Sequence, residues 1–188
     1  MTSYTPPLTD IGFVLEHVVD LEGVLAADRF DGIDAATVTT VIGEVGRFLA
    51  EEVAPTNRDG DQIGAKRTED GRVVTPDSFT RAYEQWVASG FGAMPFDPEF
   101  GGGGFPWVSA IAVQEMLTSA NMAFSLCSLL TQGAIDALQH HGSDEQKAMY
   151  LPKMLTGEWT GTMNLTEPQA GSDVGALTTR AEPVGDGS

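Results

Sequence analysis

The chain has 188 residues, 41% of them hydrophobic and 20% charged, enough apolar material for one ordinary domain with a core of its own. Ten Lys and Arg stand against 27 Asp and Glu, a formal charge of −17, and no basic stripe interrupts that excess, which excludes nucleic acid and disfavours an anionic membrane surface. One cysteine, Cys127, permits no internal disulfide, and His17, His140 and His141 come without HExxH or CxxC spacing, which argues against structural zinc. Met1 to Asp10 has no basic stretch leading into an apolar core. The longest apolar run, Met122 to Leu130, is interrupted by Ser125 and Ser128 and falls far short of a membrane span. A soluble, cytoplasmic chain is expected.

Helical periodicity governs most of the length. Ile11, Val14, Leu15, Val18, Leu21 and Leu25 share one face of a first helix, with Glu16, Asp20 and Glu22 opposite. Val38, Val41, Ile42, Val45, Phe48, Leu49 and Val53 make a second, which Pro55 ends. Residues 56 to 75 show no period and read as a loop. Thr75-Pro76 has the form of an N-cap with Pro at the first helical position, opening a helix with Phe79, Tyr83, Trp86 and Val87 inside and Gly90 at its end. Gly101 to Gly104 lacks the pattern and the nearby Lys of a phosphate loop and reads as a flexible connection. Trp107 to Ser119 and Met122 to His140 give two more helices. The second is apolar nearly all round between Ala123 and Leu130, as a helix buried at the centre of a bundle would be. Ser143-Asp144-Glu145-Gln146 has capping-box spacing and opens a helix towards Leu155, with Pro152 near its end and Gly157 beyond.

At Glu158 the character changes. Trp159 to Thr166 alternates and is Thr-rich, which predicts a strand. Ala176 to Pro183 suits a second extended segment, and Gly185-Asp186-Gly187 has turn chemistry. The expected fold is mainly α: a helical bundle followed by the first strands of a β domain. A hairpin without its second strand is not a stable end, so the chain reads as truncated.

The chemistry concentrates in Met163 to Ala176. A strand ending at Thr166 gives way to a Pro-containing turn, and Gly171-Ser172-Asp173 offers exposed backbone N–H groups with small hydroxyls beside them, suited to a carbonyl-rich ring or a phosphate. Leu165-Thr166-Glu167-Pro168-x-x-Gly171-Ser172-Asp173 resembles the signature of the acyl-coenzyme A dehydrogenases. Phe96-Asp97-Pro98-Glu99-Phe100-Gly101-Gly102 is similar to that family's P-x-x-x-G-G segment, and Gly142-Ser143-Asp144-Glu145-Gln146-Lys147 through Tyr150-Leu151-Pro152 to its G-x-x-E-Q-K-x-x-Y-L-P segment. The three motifs occur in the family's order.

The resemblance implies a helical N-terminal domain (36–157) after a helical extension (1–35), then the start of a middle β domain (158–188), with a C-terminal helical bundle to follow. It implies FAD, an acyl-CoA thioester substrate, α,β-dehydrogenation to the trans-2-enoyl-CoA in fatty acid metabolism, a homodimer or homotetramer, and electron-transferring flavoprotein as partner. By the same resemblance Met163, Asn164, Leu165, Thr166, Gly171 and Ser172 line the flavin. Backbone groups of Leu165 and Thr166 meet the isoalloxazine edge, Gly171 permits close approach, and Ser172 serves both the FAD pyrophosphate region and the acyl-CoA. Asn164 stands where the family usually has a small residue, Met163 where it often has an aromatic one, and Gln169 where Gly is common. No residue here matches the family's catalytic glutamate, so the isolated chain is expected to be inactive. Glu167 is expected to hold the turn rather than act as the base.

Plainer readings cover the remaining features. His140 and His141 close a helix C-terminus, Cys127 packs in the core, and Trp86, Trp107 and Trp159 anchor core or domain contacts. Acyl-CoA oxidases and flavin monooxygenases of the same fold share these motifs. An acidic helical interaction module without a cofactor would share the helical periods but has no need of the Leu165–Asp173 spacing.

Overall fold

The computed structural model describes residues 4–185. It is mainly helical, as expected, and its helices depart from the sequence reading at points with identifiable causes. The first expected helix is interrupted. Helix α1 (Leu8–Phe13) runs into a π turn (Val14–Val18), and α2 (Leu21–Leu25) starts anew. Asp20 separates them at φ 55°, a left-handed conformation that Asp tolerates better than most residues, and its carboxylate caps α2 by accepting from the Gly23 amide at 3.3 Å. Ile11, Leu15 and Leu21 point inward as predicted, while Val14 and Val18 are exposed. The wider turn, closed by Val19 N–H on the Val14 carbonyl, rotates them off the apolar face.

Helix α3 (Ala35–Phe48), capped by Asp34 on the Thr37 amide at 2.7 Å, continues through a second π turn (Leu49–Val53). Val38, Ile42, Val45, Leu49 and Val53 are all buried along it. The helical run stops at Val53, just short of Pro55 as expected, but a further helix follows at once. Pro55 sits at the cap position of α4 (Thr56–Ile63), and the amide it lacks helps to end the preceding run there. The polar sequence of α4 concealed it in the stretch read as loop. Gly64 ends it at φ 65°, and a short antiparallel hairpin follows, β1 (Lys66–Arg67) with β2 (Val73–Val74), pairing Lys66 with Val74 and Arg67 with Val73.

Helix α5 (Asp77–Ser89) begins after Pro76, which occupies the cap position without a side-chain cap bond, so Thr75 does not cap it. Gly90 closes it at φ 71°, as expected. The four-glycine stretch is a tightly bonded knot rather than a flexible connection. The amides of Gly102, Gly103 and Gly104 donate to the carbonyls of Asp97, Ala93 and Phe96 at 2.9, 3.0 and 2.9 Å. A Cβ on Gly102 would lie 2.1 Å from the Phe96 carbonyl oxygen, so glycine is required there by close approach.

Helices α6 (Trp107–Ala120), α7 (Met122–His141) and α8 (Asp144–Leu155) complete the bundle, and the reciprocal capping box of Ser143 and Gln146 is formed. The helix at the centre is α6, whose Met116 and Leu117 are fully buried, and not α7. The larger core joins α1, α3, α5 and α6 to Phe124. A smaller one gathers Ala93, Phe96, Ile135, Leu151, Met154 and Leu155 where α7 and α8 meet the glycine knot.

After α8 the expected strands do not form. Between 162 and 185 the backbone pairs only at an isolated bridge, Glu167 with Ala170, and in a short 3-10 turn, Val174–Ala176. A strand exists through its neighbour, and Trp159–Thr166 and Ala176–Pro183 have none among the described residues. Of the expected turn, Asp186 and Gly187 lie outside those residues.

Candidate functional site

The site begins where α8 hands the chain to the signature segment. Gly157, at φ 73°, turns the chain and accepts from the Tyr83 hydroxyl at 3.1 Å through its carbonyl. The Trp159 amide donates to the Lys153 carbonyl at 3.0 Å, and the Lys153 ammonium stands 4.3 Å over the Trp159 ring. The Gly161 amide then donates to the Thr131 hydroxyl of α7 at 3.2 Å. A Cβ on Gly161 would come within 2.5 Å of the Ala134 methyl, so glycine lets this backbone lie directly on the helix. Contacts at Gly157, Trp159 and Gly161 therefore fix the point from which residues 162–166 depart.

Beyond that point the backbone is open. The amides of Thr162, Met163, Asn164, Leu165 and Thr166 donate to nothing among the described residues, and all five side chains are exposed. The next turn is closed on itself. Glu167 and Ala170 exchange two backbone bonds, at 3.0 and 3.1 Å, which makes Thr166 and Gly171 neighbours at the two ends of the turn. Gly171 has open space on its Cβ side, and Ser172 is exposed beside it. The six residues expected to line a flavin thus lie on one continuous segment, and none of them is enclosed.

Glu167 is the best-connected side chain of the segment. One carboxylate oxygen accepts from the Thr178 amide at 3.0 Å, the Thr178 hydroxyl at 2.9 Å and the Gln169 side-chain amide; the other accepts from the Thr179 amide at 2.9 Å and the Thr179 hydroxyl. The Thr179 and Thr178 donors hold its carboxyl well below the usual carboxylate range. A group so committed to accepting hydrogen bonds holds a turn and is unsuited to lifting a proton, in keeping with the sequence reading. The part played by Thr178 and Thr179 is a long-range pairing that no local motif announces.

Helix α7, which flanks this segment, is inverted. Its inward face carries Ser125, Ser128, Thr131 and Gln132 beside Phe124 and Ile135, whereas Met122, Leu126 and Leu129 are 64%, 49% and 43% exposed. Three of the four inward polar groups are bonded: Ser125 donates to the Met122 carbonyl, Thr131 to the Cys127 carbonyl, and Gln132 to the Gly92 carbonyl. Cys127 is on the exposed side, not in the core as its apolar neighbours suggested. Partial burial pushes its thiol pKa up. It borders an apolar groove of about 480 Å³ between α4, α5 and α7, lined in part by Phe79, Tyr83, Ala123 and Phe124 and reaching Thr160. The repeating Ser, Ser, Thr of α7 carried this signal in the sequence, masked by the hydrophobicity of the residues between.

The donor set suits the flavin that the resemblance implies. Unpaired backbone N–H and C=O groups at 163–166 match a ring edge rich in hydrogen-bonding atoms, and the Thr166 and Ser172 hydroxyls stand at the two ends of one rigid turn with a glycine between them. Among the described residues no cluster of potential metal ligands occurs, and no helix is long and apolar enough to cross a membrane.

Comparison with known proteins assigns the helical region. Residues 39–158 match the family model of the acyl-CoA dehydrogenase N-terminal domain. The chain is 46% identical over 99% of its length to 3-methylmercaptopropionyl-CoA dehydrogenase of Ruegeria pomeroyi, covering 32% of that protein. It is 34% identical over 97% of its length to a butyryl-CoA dehydrogenase of Syntrophomonas wolfei, covering 30%. It is 31% identical over its whole length to a broad-specificity linear acyl-CoA dehydrogenase of Mycobacterium tuberculosis, again covering 31%. The chain thus spans about a third of the length of these curated relatives. With a helical bundle that matches the family model over most of its length, and an open signature segment following it, the chain belongs to the acyl-CoA dehydrogenase family as its N-terminal region.

Proposed function

We propose that these residues form the N-terminal region of an FAD-dependent acyl-CoA dehydrogenase that introduces the α,β double bond of an enoyl-CoA. The observation that carries this reading is the unpaired backbone of Met163–Thr166, pinned at Gly161 against α7 and ended by the Glu167–Ala170 turn. Bound there, FAD would supply the two-electron acceptor that no side chain can provide. The chain's own part is placement. Leu165 and Thr166 present backbone groups and a hydroxyl to the ring edge, and Gly171 and Ser172 leave room for the phosphate-bearing part of the cofactor. The apolar groove lined in part by Phe79, Tyr83, Ala123 and Phe124, which reaches Thr160, offers an apolar wall for an acyl chain.

The test is to purify the protein as its gene encodes it, measure its flavin content, and add acyl-CoA thioesters of graded chain length under anaerobic conditions. Retention of FAD and bleaching of the flavin's visible band by an acyl-CoA support the reading. A protein that retains no FAD, or whose flavin no acyl-CoA reduces, overturns it. Turnover with oxygen or with electron-transferring flavoprotein then separates an oxidase from a dehydrogenase.

A further inference from the structure

We infer that Glu167 is the positioning residue of the cofactor site: by tying Thr178 and Thr179 to the Glu167–Ala170 turn, it sets the spacing between the flavin contacts at Thr166 and Gly171–Ser172. The inference rests on the flavin reading above. It starts from an unusual feature of the carboxylate. All five of its hydrogen-bond donors are uncharged, two backbone amides, two hydroxyls and one side-chain amide, and no cation pairs with it among the described residues.

Only a carboxylate satisfies that set. Each oxygen receives a backbone N–H, at 3.0 Å from Thr178 and 2.9 Å from Thr179, and a backbone amide cannot reverse its polarity. Glutamine would set its own NH2 against one of the two amides. Aspartate carries the same carboxylate on a stem one methylene shorter, which stops short of the two amides. The geometry therefore selects Glu for accepting capacity at both ends, not for charge pairing or proton transfer. Gln169 closes the arrangement, donating to Glu167 and to the Thr178 hydroxyl at 3.0 Å.

The consequence for the site follows from the turn. Because Glu167 and Ala170 are bridged, a movement of the Glu167 side chain tilts the residues flanking both ends, Thr166 on one side and Gly171 with Ser172 on the other. A single carboxylate thus holds two contacts to one extended cofactor in register. Its strongly stabilised charged form keeps that hold through the whole neutral range.

The experiment uses the protein as its gene encodes it, with Glu167→Gln and two Thr pairs, Thr178→Ser/Thr179→Ser and Thr178→Val/Thr179→Val. Hydrogen exchange is followed in the peptide covering 174–181 of the FAD-free protein, with α6 and α8 as controls for the fold. FAD affinity and the fine structure of the bound flavin's visible spectrum are then measured. Glu167→Gln should raise exchange at 178–179 about tenfold and weaken FAD about tenfold with a blurred spectrum, leaving α6 and α8 unchanged. The Ser pair, which keeps the hydroxyls, should behave as wild type. The Val pair should loosen both readouts, and it serves as the test should Glu167→Gln fail to fold. Unchanged exchange in Glu167→Gln overturns the inference by removing the clamp. Raised exchange with wild-type affinity and spectrum overturns it by separating the clamp from the flavin. A wild-type protein with protected 178–179 amides and no FAD binding refutes the flavin reading itself, and with it this inference.

Discussion

Asn121 joins the two halves of the bundle, and its removal has a calculable cost. It sits between α6 and α7, 1% exposed. Its carbonyl oxygen caps α7 by accepting from the Phe124 amide at 3.1 Å, and its amide nitrogen donates to the Thr56 hydroxyl of α4 at 2.8 Å. That hydroxyl in turn donates to the Val53 carbonyl at 2.7 Å. Asn121→Ala removes the cap, leaves the buried Phe124 amide without a partner that water can replace, and strips Thr56 of its donor. The lost cap and the Phe124 amide it leaves unpaired are one interaction, worth about 1–3 kcal/mol, and the lost bond to Thr56 adds about 1 kcal/mol, so the variant should lose about 2–4 kcal/mol, a large share of a domain's usual margin. Equilibrium denaturation in urea checks it, read through the midpoint at constant slope.

A double-mutant cycle separates the cap from the inter-helix bond. Thr56→Val alone should cost about 1–2 kcal/mol, and the pair of changes should cost less than the sum by about 1 kcal/mol, the coupling between the two side chains. A loss below about 0.5 kcal/mol for Asn121→Ala, within the range of ordinary surface substitutions, would refute the burial argument. A coupling indistinguishable from zero would leave the cap intact and refute the tie to α4.

Four further outcomes follow from the structure. Gly102→Ala should cost about 3 kcal/mol because its Cβ meets the Phe96 carbonyl at 2.1 Å, whereas Gly43→Ala in α3, with nothing within 4 Å, should gain about 0.5–1 kcal/mol; thermal unfolding of the two variants tests the contrast. Asp20→Ala, which puts a less tolerant residue at φ 55° and removes the α2 cap, should cost about 1–2 kcal/mol by urea unfolding. Glu167 has a depressed folded pKa, so its stabilisation is fully present above the ordinary carboxyl value of about 4.3 and disappears as pH falls through the folded value. A carbon-13 titration of its side-chain carboxyl should show no change from neutral pH down past that value, and a midpoint near it would show the clamp to be absent. Cys127 should react with a small alkylating agent in the folded protein, with a rate that climbs with pH to a midpoint above that of an ordinary thiol; protection from the reagent would contradict its exposed position.

The helices that the sequence disclosed are those whose signals are local. The Ser143 capping box, Gly90 beyond α5 and the apolar period of α3 each require only neighbours within one or two turns. The helix that stayed hidden, α4, has a polar sequence and is held by the Asn121–Thr56 bond across 65 positions. The same holds for the glycine knot. Four glycines read as slack in sequence, and only the approach of the Phe96 and Met94 carbonyls shows why side chains are excluded. In the site, the spacing from Leu165 to Asp173 was readable, but the partners of Glu167 lie 11 and 12 positions away in a stretch with no pattern of its own.

Helix α7 shows how composition alone misleads about burial. Its apolar run suggested a helix wrapped by protein, yet hydroxyls and a side-chain amide face the bundle, and the large apolar side chains face outward. Burying Ser125, Thr131 and Gln132 is tolerable because each has a hydrogen-bond partner, so the helix needs no apolar inner face to pack. Leaving Met122, Leu126 and Leu129 in water is the unfavourable half of the arrangement, by roughly 1 kcal/mol for each of these half-exposed side chains that could be covered. Folding of this bundle does not recover that energy, because the surface lies outside its core. A ligand that covers the face can recover it. The open backbone of 163–166 departs from the same helix at Gly161, so one element of the fold carries both the uncovered apolar face and the point that fixes the open backbone.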